Sequence, residues 1–239
     1  MYKRQTGQVS EVGDPQINQP DSGFRAATEF IVDLLVDAGP DGVENMGYDE
    51  CLTLFQNGEV ALWYGSTSAA PVLEAADSPM AGNVGYAFAP TVSTDVSGWL
   101  DGWGLVIMPG PAAPETAWAY IDWVTSADYV HVVADHAPGG WVEAPNTLLS
   151  THDAPEYRDA TAAYGDVVFD AVRSADPTNP GTTPRPGVPG VHYVGIPEFQ
   201  DVAAECTAEI SAAIAGQLSV DDALDRCQVH ASEATWPLE

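Results

Sequence analysis

The sequence predicts an α/β protein in which short strands lead through turns into helices. The clearest such unit lies between residues 97 and 126. Its apolar run Leu105–Met108 has the length of a buried strand, and Pro109-Gly110-Pro111 stops it. Pro114 then occupies a favourable first position of a helix. The apolar residues that follow at helical spacing are expected to face inward: Ala117, Trp118, Ile121 and Val124.

Two other apolar runs, Val60–Tyr64 and Val84–Ala89, predict further strands. Helices are predicted where apolar residues recur at helical spacing between capping and breaking residues. They cover residues 21–38, 49–56, 128–134, 155–173 and 198–215, and a last helix starts at a capping box formed by Ser219 and Asp222. This alternation of strands and helices is the basis of the α/β prediction.

Acidic residues dominate the charge of the chain. It carries 35 acidic residues against 7 basic ones, for a formal net charge of -28. Such a surface repels nucleic acid and anionic membranes, so neither is an expected partner. Because salt screens self-repulsion, the lysine-poor composition predicts a halophilic protein, adapted to high ionic strength.

The start of the chain is polar. Lys3 and Arg4 are followed by polar residues instead of the apolar core of a signal peptide. No apolar run reaches the length of a membrane span. We therefore expect a fragment of a longer protein, without a direct membrane span and with a loose segment over residues 1–20.

The loop Trp99–Trp103 carries residues suited to binding a small solute. Trp99, Asp101 and Trp103 lie close to glycines. An indole covers the C–H faces of a sugar or polyol, and a carboxylate accepts hydrogen bonds from its hydroxyl groups. The alternative is that both tryptophans are core residues at a turn, and the chemistry of the loop leaves both interpretations open.

A second binding surface is predicted after the strand Val60–Tyr64. Ser66 and Thr67 follow that strand at the expected start of a helix. Backbone amides at a helix start, together with hydroxyl groups, bind oxygen-rich ligands. An ordinary Ser/Thr helix cap is the alternative for either residue.

Catalytic chemistry has weaker support in the sequence. Asp101 and Glu143 are candidates for a carboxylate pair that hydrolyses glycosides, but a chance pair is expected in so acidic a chain. His131, Asp135 and His136 have a spacing that metal sites use, yet no third His or Cys is near them in sequence. No Gly-rich phosphate loop and no nucleophile elbow is present. We therefore expect neither an enzyme nor a metal or cofactor site.

The three cysteines do not have the spacing of a zinc ribbon. Cys206 and Cys227 lie on the two C-terminal helices, each about ten residues from the turn Gly216–Leu218. An antiparallel pair of helices brings them to the same height. Two outcomes stay open: a disulfide that leaves Cys51 as the odd thiol, or two buried thiols that act as small hydrophobes.

Several stretches in a consistent order resemble the solute-binding proteins of ABC importers, in the branch that binds sugars and especially polyols such as sorbitol and mannitol. They include LFQNGEVALWYGSTSAA and WLDGWGLVIMPG. The full set is Phe24–Pro40, Leu54–Ala70, Val84–Pro90, Trp99–Gly110, Ala117–Val130, Val194–Val202 and Ala212–Gln228. The order and spacing of these stretches over nearly the whole chain make the resemblance specific.

The resemblance implies a periplasmic-binding-protein-like fold of two α/β lobes, with the ligand between them. This chain is expected to hold the second lobe, over residues 21–80 and 127–239, and a strand–helix unit of the first lobe, over residues 81–126. Ligand contacts are implied for Trp63, Tyr64, Ser66, Thr67, Trp99, Asp101, Trp103, Trp141, Asn146, His192 and Tyr193.

Two departures from the family pattern concern the pocket. Asn146-Thr147-Leu148 stands where polyol binders tend to carry Pro-Gly-Thr-Arg, which removes a cation. Asp101 stands where they tend to carry an aromatic residue, and Gly65 where they tend to carry an acid. The acid is thus expected on a different side of the pocket.

The resemblance also implies a function in transport. The protein is expected to be periplasmic or extracellular and to deliver a sugar or polyol to the membrane permease of an ABC importer. The residues leave two alternatives. One is a secreted carbohydrate-active enzyme whose paired carboxylates converge on a pocket. The other is an interaction module with no small ligand, which would have no aromatic-lined cleft.

Overall fold

A computed structural model describes residues 17–91, 102, 104–110, 113–175 and 197–235. The chain divides into two compact units. Residues 1–51, 91–97 and 176–239 form the first, which we call the terminal unit. Residues 52–90 and 98–175 form the second, which we call the central unit.

Helices make up the regular structure of the described residues. They are α1 (Gly23–Ala38), α2 (Tyr48–Gln56), α3 (Ala69–Leu73), α4 (Pro114–Val124), α5 (Ala127–His136), α6 (Leu149–Asp153), α7 (Pro155–Ala160), α8 (Gly165–Ser174), α9 (Phe199–Ile214) and α10 (Val220–Thr235). Short 3-10 turns cover Val43–Asn45 and Gly140–Glu143. In this described part of the chain, no helix combines the length and the apolar character that crossing a bilayer requires.

Helix α1 begins and ends close to the predicted residues. The Ser22 hydroxyl caps its start by accepting hydrogen bonds from the amides of Phe24 and Arg25, at 3.1 and 3.4 Å. Gly39 follows the last helical residue, and its amide donates to the carbonyl oxygen of Leu35 at 2.9 Å. These contacts satisfy backbone groups that a helix end leaves without partners, so the local sequence fixes both ends.

The buried face of α1 differs from the one that helical spacing predicts, which consists of Phe24, Ala27, Ile31, Leu34, Leu35 and Ala38. Thr28 and Val32 are buried, whereas Ile31 and Leu34 are exposed. Val32 packs into the cluster that α9 and α10 form, so this is the face that α1 turns toward them. Thr28 tolerates burial because its hydroxyl donates to the carbonyl oxygen of Phe24 at 2.9 Å, within the same helix.

Helices α9 and α10 pack against each other as the predicted helical hairpin. Gly216 has φ 69°, the left-handed conformation that suits glycine after a helix. The Ser219 hydroxyl accepts the Asp222 amide at 3.0 Å and donates to the Asp222 carboxylate at 2.7 Å. The predicted cap at Ser219 is therefore confirmed. The apolar residues that recur at helical spacing in α10 are all buried: Ala223, Leu224, Cys227 and Ala231.

Two buried clusters hold the terminal unit together. Their members are Ile17, Cys206, Leu224, Cys227 and Ala231 in one, and Val32, Ala213 and Ala223 in the other. Polar contacts fix the edge of this packing. The Ile17 amide donates to Oε1 of Gln228 at 2.8 Å, and Arg25 pairs with Asp221 at 2.5 Å. The terminal unit thus joins α1, α9 and α10 through both apolar and polar contacts.

Helix α4 of the central unit starts at its predicted signal, with Pro114 in its first turn. The Ser126 hydroxyl caps α5 by accepting the Tyr129 amide at 3.3 Å, a cap that was not predicted from the sequence. Helix α5 packs against the 3-10 turn Gly140–Glu143. Trp118, however, is 62% exposed, so the prediction that it faces inward is wrong for the described part of the chain.

The predicted strands are not strands in this structure. Val60–Tyr64, Val84–Ala89 and Leu105–Met108 lie outside helices and ladders, and no strand occurs within the described residues. An apolar run becomes a strand only where a neighbouring strand satisfies its backbone N–H and C=O groups. The described residues supply no such ladder, and Leu62 and Val106 are exposed. The described residues therefore confirm the helices of the α/β prediction but not its strands.

Candidate functional site

Trp63 and Tyr64 begin the first predicted binding segment, in the central unit. Trp63 is half-buried, and its ring is tilted against Phe55 with 6.1 Å between the centroids. A Cβ at Gly65 would stand 2.8 Å from the Trp63 indole, so any other residue there would displace the ring. Tyr64, by contrast, is 72% exposed. Local packing therefore holds Trp63 in place, and it also explains why glycine stands at position 65.

The turn after Tyr64 presents its hydroxyl groups as predicted. Ser66 and Thr67 are exposed, and the Ser66 hydroxyl accepts a hydrogen bond from the Ser68 hydroxyl at 2.9 Å. The helix that follows, α3, has only five residues. Because a helix dipole is the sum of many aligned peptide units, so short a helix adds little to the predicted binding surface. The exposed hydroxyl groups are the donors and acceptors that this turn offers.

Trp141 does not stand in an open loop. It lies in the 3-10 turn Gly140–Glu143 and is half-buried. Its indole meets the His131 ring edge-on at 5.3 Å and packs against the buried cluster of α5. Trp141 thus has a structural role in joining this turn to α5, which the sequence did not indicate.

Asn146 is exposed and held at two points. Its side-chain amide donates to the Tyr157 hydroxyl at 3.4 Å. Its backbone carbonyl oxygen lies 2.8 Å from Nε2 of His152. The His152 ring is itself stacked on Phe169 at 4.3 Å. An Asn side chain has further donor and acceptor capacity, so Asn146 is oriented and can still bind a ligand hydroxyl.

A group of residues that the sequence did not indicate continues from Asn146. Tyr157 and Tyr164 are each 4% exposed, and the Tyr86 ring lies 5.8 Å from the Tyr164 ring. The Tyr86 hydroxyl donates to Glu74 at 3.0 Å. We call Glu74, Tyr86, Tyr157 and Tyr164 the tyrosine cluster. Tyr157 lies on α7 and Tyr164 in the turn before α8, so helical spacing does not relate them and the sequence carried no signal for this cluster.

Burial determines the electrostatics of the tyrosine cluster. Desolvation, and then the hydrogen bond and charge of Glu74, raise the pKa of Tyr86. Desolvation, and then the charges of Tyr157 and Glu74, raise the pKa of Tyr164 to about 12. Both hydroxyl groups are therefore neutral at physiological pH. The buried Tyr164 hydroxyl has no hydrogen-bond partner among the described residues.

The remaining predicted site residues lie outside the described residues: Trp99, Asp101, Trp103, His192 and Tyr193.

Of the carboxylate pair Asp101 and Glu143, which was weighed for catalysis, the structure describes Glu143 alone. Its carboxylate accepts the Gly139 amide at 3.0 Å, so it closes the turn after α5. Among the described residues, no group of three or more His, Cys, Asp or Glu could hold a metal ion.

Three comparisons with known proteins agree with one another. The family model of the bacterial extracellular solute-binding proteins matches residues 4–131. The mannitol-binding protein of Pseudomonas aeruginosa is 35% identical over 207 residues, which cover 86% of this chain and 47% of that protein. The solved structure of an ABC-transporter solute-binding protein from Agrobacterium vitis, with bound D-mannitol, is 35% identical with a TM-score of 0.80. The match covers 96% of this chain and 55% of the Agrobacterium vitis chain.

More distant structures support the fold alone. A maltose-bound protein of T. maritima is 23% identical with a TM-score of 0.66, over 95% of this chain and 53% of its own. A solute-binding protein of Thermotoga lettingae, bound to alpha-D-tagatose, is 18% identical with a TM-score of 0.65. That match covers 98% of this chain and 53% of the Thermotoga lettingae chain. The chain thus spans about half the length of the relatives that it matches.

Proposed function

The chain belongs to the bacterial extracellular solute-binding protein family, and we propose that it binds a neutral sugar or polyol, of which D-mannitol is the first candidate, for delivery to an ABC importer. One observation carries this proposal: the chain is 35% identical both to a mannitol-binding protein and to a solute-binding protein with bound D-mannitol. Family membership also favours a binding protein over the alternative of a secreted carbohydrate-active enzyme.

The described residues support a ligand rich in hydroxyl groups. Ser66, Thr67 and Asn146 are exposed and present neutral donors and acceptors. We propose that Trp103 covers the C–H face of the ligand and that Asp101 accepts its hydroxyl hydrogens. The other proposed contacts are Trp63, Tyr64, Trp99, Trp141, His192 and Tyr193.

Titration calorimetry on the full-length protein tests this function. D-Mannitol or sorbitol should bind, and Trp103→Ala should weaken binding by about 1 to 3 kcal/mol, because an aromatic wall contributes this much at a binding hot spot. Trp118→Ala is the matched control, since Trp118 is exposed on α4 and outside the proposed contacts. An absence of heat with every polyol and sugar would overturn the function, whereas equal affinities of the two variants would remove Trp103 alone from the site.

The predicted lobes and strands also stay proposals. We propose that the three apolar runs are strands in the full-length protein, where they pair with chain that these 239 residues do not include. The support is the fold shared with the D-mannitol-bound structure, of which this chain covers 55%. On this proposal, residues 21–80 and 127–239 belong to the second lobe and residues 81–126 to the first.

Family membership supports a location, and the charge of the chain supports an adaptation. We propose a periplasmic or extracellular protein, because the family is extracellular. We also propose that it works at high salt, because the formal net charge of -28 destabilises the folded state by self-repulsion. The melting temperature should rise as sodium chloride increases from low to molar concentration. Glycine betaine at matched osmolarity is the control, since it does not screen charge. A melting temperature that is flat or falling in sodium chloride would contradict this adaptation.

A further inference from the structure

The register of the C-terminal hairpin can be followed through the polar contacts between its two helices. Arg226 of α10 pairs with Glu209 of α9 at 3.2 Å. His230, four residues later on α10, lies 3.0 Å from Glu205, four residues earlier on α9. The two helices therefore run antiparallel, with one helical turn of α10 facing one turn of α9. This register also decides which residues meet on the buried side.

Cys206 and Cys227 occupy facing positions in that register. Cys206 follows Glu205 on α9, and Cys227 follows Arg226 on α10. Their exposed fractions are 7% and 0%, and both belong to one buried cluster with Leu224. These polar contacts thus lie at the edge of the hairpin, and the two cysteines lie inside it.

The two cysteine side chains influence each other electrostatically. Cys227 lowers the pKa of Cys206 and Cys206 raises the pKa of Cys227, while burial raises both. Both residues are thiols in this structure. Ala231 and Ala223 also lie on the packed face of α10, where small side chains let two helices approach closely. Close approach is what a disulfide needs, since its Cβ atoms stand about 4 Å apart.

We propose that Cys206 and Cys227 are a disulfide site whose oxidation joins α9 to α10 covalently. The family is extracellular, and disulfides persist in compartments outside the cytoplasm. The oxidant is a disulfide, R–S–S–R, of the class that thiol–disulfide oxidoreductases supply. Cys51 is half-buried on α2, outside the buried cluster, and stays a thiol.

The reaction balances as two exchanges. The Cys206 thiolate attacks R–S–S–R, forms Cys206–S–S–R and expels R–S⁻, which takes up the proton that Cys206 lost. The Cys227 thiolate then attacks the Cys206 sulfur and expels the second R–S⁻, which takes up the proton of Cys227. Two electrons pass from the cysteines to the oxidant, which becomes two R–SH. Because the folded cluster buries both sulfurs, oxidation takes place while the hairpin assembles.

Site-by-site thiol labelling of the exported full-length protein tests the proposal. The protein is denatured without reductant, treated with a maleimide and mapped by peptide mass. Cys51 should carry the label, whereas Cys206 and Cys227 should carry it only after reduction. Without reduction, their peptides should appear as one linked mass. Labels on Cys206 and Cys227 before reduction, or a link that includes Cys51, would overturn the proposal.

A melting experiment gives a second, independent measurement. Protein that has been reduced in denaturant and refolded should melt roughly 5 to 10 °C below the oxidised protein, because the bond closes a loop of about twenty residues. Cys51→Ala is the matched control and should show the same difference. The double variant of Cys206→Ala and Cys227→Ala should show none. If that variant does not fold, the test is the difference in melting temperature between the oxidised and the reduced form of Cys51→Ala. Equal melting temperatures of these two forms would refute the covalent link. Neither result depends on which solute is bound.

Discussion

The C-terminal hairpin and the three apolar runs of the central unit carry similar sequence signals with opposite outcomes. In the hairpin, Leu224 and Cys227 are 0% exposed, as their spacing predicts. In the runs, Leu62 is 91% exposed and Val106 is 77% exposed. A helix satisfies its own backbone, and the partner of α9 follows after one short turn. A strand depends on another segment for its backbone hydrogen bonds, so an apolar run alone does not determine burial.

The largest expected change in the free energy of unfolding comes from truncating one leucine in each of these two regions. Leu224→Ala should lower the free energy of unfolding by about 2 to 5 kcal/mol, since it empties space in a closed core. Leu62→Ala should change it by less than about 0.5 kcal/mol in the 239-residue chain, where Leu62 is 91% exposed. In the full-length protein the same substitution should cost more than about 1 kcal/mol, because the proposed strand is covered by further chain. Urea unfolding measures all three, and a full-length loss below about 0.5 kcal/mol would contradict the proposed strand.

The helix ends could be predicted because each depends on residues next to it. Ser22 and Ser219 cap their helices through their own hydroxyl groups, and Gly216 permits the turn between α9 and α10. The buried faces were less predictable. Thr28 is buried although it is polar, which its hydrogen bond within α1 permits, and Trp118 is exposed although it is apolar. Burial depends on which neighbour covers a face, and spacing along one helix does not contain that information.

In the candidate site, too, the sequence predicts local features but not contacts between distant segments. The exposed hydroxyl groups of Ser66 and Thr67 follow from their place after an apolar run. The packing of Trp141 on α5 and the contact of Asn146 with Tyr157 bring together segments that only the folded chain places side by side. Tyr86 and Tyr164 are 78 residues apart in number, so no local pattern joins them.

A smaller effect is expected at the start of α10. Ser219→Ala removes the hydroxyl that accepts the Asp222 amide, which should cost about 0.5 to 2 kcal/mol. Ser150→Ala is the matched control, because Ser150 is exposed on α6, and its change should stay within about 0.5 kcal/mol. Urea unfolding of both variants compares them. Equal losses would show that the cap does not contribute to the stability of the hairpin.

The smallest effect is expected in the tyrosine cluster, where two similar hydroxyl groups differ in their partners. Tyr86→Phe removes the hydrogen bond to Glu74 and should cost about 1 kcal/mol. Tyr164→Phe removes a buried hydroxyl that has no partner among the described residues, so it should be neutral or stabilising by up to about 1 kcal/mol. Unfolding free energies at pH 7 separate the two variants, and a clear loss for Tyr164→Phe would mean that a partner outside the described residues or a bound water satisfies this hydroxyl.

The pH dependence of Tyr164→Phe completes this test. Burial raises the pKa of Tyr164 from 10.0 to about 12, so between these values the folded state holds the proton more tightly than the unfolded state. The contribution of Tyr164 is therefore complete below pH 10 and is lost as the pH rises through about 12. Tyr164→Phe lacks this proton, so its stability relative to the unsubstituted protein should increase above pH 10. A relative stability that does not change with pH would mean that the Tyr164 hydroxyl is not desolvated, and the absence of a partner would then carry no cost.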